Sequence, residues 1–131
     1  MNVKLLRRIK KHILAEPKRF AMGFWVRRKE DSDDGKVHDY SYTGSYARCG
    51  TAACIGGWAM ILSGENPQGN TLIQERAAEL IGIQYFRSDR LFDASRWPEE
   101  FQRFASAKKA PERAQIAAAR IEHFIKTNGR E

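Results

Sequence analysis

The chain has 131 residues, 42% of them hydrophobic, with three Trp, four Tyr and seven Phe. That length suits one domain of about 100–150 residues, and the apolar content is enough for a core, which excludes global disorder. No apolar run approaches the roughly 18 residues of a membrane span, and charge interrupts the leading Leu and Ile residues, so neither a secretory signal nor a transmembrane helix is expected.

The formal net charge is +7, and its placement says more than its size. Residues 1–30 carry ten Lys or Arg against Glu16 and Glu30, whereas the remainder is nearly balanced. A focused basic segment attracts phosphates, nucleic acid, an anionic membrane or an acidic protein.

In chain order, Leu6, Ile9 and Ile13, flanked by Leu5 and Leu14, recur at helical spacing, with Lys4, Arg7, Arg8, Lys10 and Lys11 on the other side. The pattern predicts an amphipathic helix over residues 3–15 with a cationic outer face. Pro17 ends it, and a strand over residues 23–29 is expected next. The acidic run 30–35 ends in Gly35 and reads as an exposed turn, after which residues 37–42 return as the partner strand of a hairpin spanning 23–42.

Residues 52–63 form an apolar stretch of helix length, with Thr51 as the expected N-cap and Gly64 following its end. Ile55, Trp58, Ala59 and Leu62 make it the central core helix. Thr71 and Gln74 match a capping box for a helix through Ile81, stopped by Gly82. A short helix from Ser88 presents Leu91 and Phe92, and Pro98 and Pro111 open helices near 98–107 and 111–127. The fold class expected is therefore mainly α, a compact single domain of about five helices with a small β-hairpin.

The segment before the central helix assembles anion-binding parts. A helix N-terminus offers unpaired N–H donors and the positive end of its dipole; Gly50 permits close approach, Ser45 and Thr51 offer hydroxyls, and Arg48 can fork onto a phosphate. Tyr40, Tyr42 and Tyr46 can supply a stacking wall. For a Gly-Thr-Ala run taken alone, a cap and a turn are the better explanation of Thr51 and Gly50, and it is Arg48 with the three tyrosines that adds weight to an anion site. Gly56-Gly57 is costly inside a helix, each Gly weakening it by about 1 kcal/mol relative to Ala; close helix packing is the favoured compensation, and approach of a ligand or of a second copy of the chain is the other.

The run Cys49-Gly50-Thr51-Ala52-Ala53-Cys54-Ile55-Gly56-Gly57-Trp58-Ala59 resembles the signature of a set of small proteins from bacteria and their phages. Glu16-Pro17, Arg19-Phe20, Met22, Leu91-Phe92, Trp97-Pro98 and residues 120–125 extend the likeness over nearly the whole chain. In that set the position of Gly56 is often Ala. The resemblance implies a prokaryotic or phage origin and brings no activity with it.

Cys49 and Cys54 are too few for a secreted disulfide framework, and free thiols in a reducing cytoplasm, of a bacterium or a phage-infected host, are expected. Cys49 beside Arg48 favours thiolate, with His38 and Asp39 as base and orienting group, but the pattern matches no cysteine-hydrolase signature. His12, His38 and His123 are scattered, without the paired spacing of a zinc site. No catalytic residue, metal or cofactor is assigned. The function expected is non-catalytic binding of a small anionic, nucleotide-derived ligand by Arg48, Gly50, Thr51, Ser45, Tyr46, Tyr42 and Tyr40, in one form a phage protein sequestering an immune signalling nucleotide. The alternative is a nucleic-acid-binding or acidic-protein-binding accessory protein using Arg7, Lys10, Lys11, Arg27 and Arg28.

Overall fold

The computed structural model describes residues 1–23, 25–28, 51–65 and 72–131. Helix α1, Val3–Ala15, buries Leu5, Leu6, Ile9 and Ile13 on one side. Asn2 fixes its start: the side-chain oxygen accepts from the Leu5 N–H at 3.0 Å, and the side-chain amide donates to the Leu80 carbonyl at 3.2 Å. Glu16 takes the C-cap, and Pro17 opens a single 3-10 turn, Pro17–Arg19.

Strand β1, Val26–Arg28, lies within the expected span, but its partner among the described residues is β2, Thr51–Ala53. The two pair antiparallel, Val26 opposite Ala53 and Arg28 opposite Thr51. The expected hairpin is not confirmed, because its return strand at 37–42 falls outside the described residues. The pairing of β1 with β2 corrects the central helix. Thr51, Ala52 and Ala53 are helix-compatible, yet their backbone is claimed by the ladder to β1, and tertiary pairing overrides weak local propensity.

Helix α2 is therefore Ile55–Leu62, and its N-cap is Cys54, not Thr51. Cys54 is extended (φ −77°, ψ 179°), and its Sγ accepts from the Gly57 N–H at 3.4 Å. Cysteine is a weak acceptor and not a usual cap, so no sequence signal marked it.

Helix α3, Ile73–Ile81, begins behind Leu72 with no side-chain cap. The expected capping box does not form at Gln74, whose amide instead donates to Ser88 Oγ at 2.8 Å and Asp89 Oδ1 at 2.6 Å; Thr71 lies outside the described residues. Gly82 closes α3 in the left-handed region at φ 74°, as expected. Helix α4, Tyr85–Phe92, starts three residues before Ser88. Ser88 is fully buried within it and donates to the Tyr85 carbonyl at 2.6 Å. Pro98 precedes a 3-10 helix, Glu99–Ser106, where an α-helix was expected, and α5, Ala110–Lys126, has Pro111 in its first turn.

The fold is mainly helical. Helix α1 packs on α5 and α2, and α3 bridges α2 to α4. The buried apolar side chains form one cluster, with Leu6, Ile9, Ile13, Ile55, Ile121 and Phe124 fully enclosed. Trp58 is the anchor expected of it: 1% exposed, its indole N–H donates to the Arg19 carbonyl at 3.0 Å, and His12 lies against its ring with centroids 4.0 Å apart. Close packing also accounts for Gly56-Gly57, both of which abut Trp25.

Candidate functional site

Burial of Leu5, Leu6, Ile9 and Ile13 dictates which side of α1 faces water. Lys4, Arg7, Arg8 and Lys11 are exposed at intervals of three and four, so they form one stripe along a helix about 20 Å long. Among the described residues none of the four forms a salt bridge, and Arg7 acts on Glu122 of α5 only at longer range. Lys10, one position away, is different: its Nζ reaches Glu122 of α5 at 2.8 Å. That bond, with further help from Arg7 and Lys126, holds the Glu122 carboxyl below the usual range.

The stripe opposes the helix's own electrostatics. The first turn of α1 contains no acidic residue, and Lys4 sits at the positive end of the dipole. Lys4 with Arg8, and Arg7 with Lys11, are like-charge pairs one turn apart, each unfavourable by a few tenths of a kcal/mol. Local choices that weaken an element without an internal gain concentrate at functional surfaces.

Of the other expected site residues, the structure describes only Thr51, Arg27 and Arg28, and pairs Arg28 opposite Thr51. Tyr40, Tyr42, Ser45, Tyr46, Arg48, Cys49 and Gly50 lie outside the described residues, as do His38 and Asp39. Thr51 belongs to β2, and Arg27 and Arg28 to β1. The helix end that Gly50-Thr51 was expected to front starts four residues later, with Cys54, Ile55, Gly56 and Gly57 all buried. The premise of open N–H donors and a helix dipole directly behind Thr51 is thereby corrected. Cys54 is free, and burial pushes its thiol up to about 11, partly offset by the N–H groups of Gly57 and Gly56.

A cleft of about 740 Å³ opens beside Cys54, walled by Met22, Trp25, Phe92 and Phe104. Among the described lining residues the charged one is Asp93, which accepts from the Ser95 N–H at 2.9 Å and hydroxyl at 2.6 Å.

Sequence reasoning passed over two features. Arg120 is completely buried, donating to the Arg90 carbonyl at 2.7 Å while its Nε and Nη1 have no hydrogen-bond partner among the described residues. Phe86 is 69% exposed at the start of α4, with the Arg87 guanidinium 5.7 Å from its ring centroid. Placing the start of that helix at Ser88 left Phe86 outside it; the Tyr-Phe-Arg run was the available signal.

Among the described residues no group of three His, Cys, Asp or Glu could hold a metal ion, and no helix is long and apolar enough to cross a membrane. Together the fold and the α1 stripe define a small, mainly helical protein with a cationic face. Comparison with protein-family models, with curated proteins and with solved structures returned no match to this chain.

Proposed function

We propose that this chain is a non-catalytic nucleic-acid-binding protein that holds a phosphate backbone along α1. The observation that carries the reading is the stripe of Lys4, Arg7, Arg8 and Lys11, which is exposed, regularly spaced and without a salt bridge among the described residues. Phosphate contacts release counterions, so affinity falls steeply with salt, with a log–log slope near −3 for about four phosphates.

Fluorescence anisotropy with labelled DNA and RNA oligonucleotides over a salt series tests this. The variant Lys4→Glu/Arg8→Glu/Lys11→Glu is expected to lose at least tenfold in affinity and to melt like the wild type, because it spares Lys10 and its bond to Glu122. Wild-type affinity in that variant, or no binding of either nucleic acid by the wild type, overturns the reading. Binding of an acidic protein in its place would point to the other polyanion the face suits.

The small-ligand reading of residues 48–51 gives a different signature. A nucleotide-derived ligand at a hundred times its Kd adds about 2.7 kcal/mol of stability. A thermal shift with cyclic nucleotides or dinucleotides that disappears in Arg48→Ala and survives the triple reversal would move the site there.

A further inference from the structure

The cationic surface continues past α1. Arg7 and Lys126 both act on Glu122, which ties the α1 stripe to the end of α5. Lys126 and Arg130 share a surface depression there with Glu131, whose carboxylate is turned to His123, and Arg90 of α4 donates to the Arg130 carbonyl. Arg87 then shares a cleft of about 220 Å³ with Met1, Gly82, Asn128 and Gly129, which returns the surface to the start of α1. Phe86 stands beside this junction. Arg90 follows it one helical turn later on the same side of α4, and Arg87 lies against its ring.

A single exposed Phe is ordinary. One flanked by cations that continue a basic surface is the combination used to bind single strands, in which phosphates meet Lys and Arg while bases stack on aromatic faces. A protein partner would want an apolar patch depleted of charge around its anchor, and the neighbours of Phe86 at one, three and four positions on are Arg87, Asp89 and Arg90, with the Asp89 carboxylate engaged by the Gln74 amide. A duplex keeps its bases stacked inside and has none to offer. Tyr85, the residue before it, is also exposed, at 54%.

Resting on the proposal that α1 holds a phosphate backbone, we infer that the preferred ligand is single-stranded nucleic acid, one base of which stacks on Phe86 while Arg87, Arg90 and the α1 stripe hold the phosphates. Single-stranded and duplex oligonucleotides of about twelve nucleotides are to be titrated against wild type, Phe86→Ala and Phe86→Trp. Phe86→Ala is expected to weaken single-strand binding about tenfold or more with duplex binding and melting temperature unchanged. Phe86→Trp is expected to restore affinity and to add a fluorescence that the single strand quenches. Wild-type affinity in Phe86→Ala, or a wild type that prefers duplex, overturns the stacking site and leaves the α1 reading standing. Binding of neither nucleic acid by the wild type overturns both.

Discussion

Gly57 lies against the main chain of Trp25 so closely that a β-carbon on it would enter the Trp25 carbonyl oxygen and stand 2.9 Å from the Ala53 methyl. The same carbonyl accepts the Cys54 N–H at 3.3 Å, so the residue preceding β1 and the start of α2 are locked backbone to backbone. At Gly56 a β-carbon would instead enter the Trp25 indole at Cζ3, with Cε3 3.1 Å away, so the ring would have to move. Gly57→Ala is expected to destabilise by about 3 kcal/mol or to displace β1. Gly56→Ala should cost much less, since the ring can turn and the helix gains about 1 kcal/mol of propensity. Urea melts of the two variants measure the difference, and equal effects would show that backbone contact is not what requires Gly57.

Stability should fall on mild acidification because of His12. Burial, and then the charge of Arg19, lowers its pKa from the usual value, with Glu16 acting the other way. The unfolded chain then takes up the proton first as pH falls. The stability contributed by neutral His12 is complete above the unfolded pKa of about 6.5 and is lost towards the folded value. Melting temperatures between about pH 7.5 and pH 5, in wild type and His12→Asn, check this. The wild type should show the larger drop, and parallel curves would remove His12 as the cause.

Arg120 is buried between Phe101 and Phe124, its guanidinium carbon 5.7 and 5.4 Å from their centroids. Burial pushes its pKa down to about 10, against the pull of Glu100 and Glu131. A charged group with two unpaired donors in an apolar setting is held at a cost. Arg120→Met, which keeps the length and drops the charge, is expected to be neutral or stabilising by about 1 kcal/mol. Arg120→Ala should lose about 2–4 kcal/mol through the cavity left behind. A strongly destabilised methionine variant would mean that the bond to the Arg90 carbonyl outweighs the desolvation.

Cys54 should be chemically silent in the folded protein. It is 3% exposed, and its raised pKa leaves little thiolate near neutrality. In a Cys49→Ser background, a thiol reagent is expected to react only as the chain unfolds, at the rate of unfolding. Prompt stoichiometric labelling of the native protein would contradict the burial that defines the start of α2.

Elements held by periodicity were legible in the sequence. The Leu6, Ile9, Ile13 spacing placed α1 and therefore its cationic stripe, because a helix with one apolar side has no choice about which side faces water. Pro111 and Gly82 marked the start of α5 and the end of α3 through backbone geometry alone. Trp58 was recognisable as an anchor. Contacts between distant residues were not legible. Thr51, Ala52 and Ala53 follow helix rules until β1 claims their backbone, Gln74 serves α4 and not its own helix end, and Lys10 leaves the basic surface only because Glu122 of α5 stands beside it. Local propensity and charge are properties of a segment, worth tenths of a kcal/mol per residue, and the sequence states them directly. Pairing partners, the burial of Arg120 and the bond from Arg90 of α4 to the Arg130 carbonyl depend on which segments meet, and only the folded chain decides that.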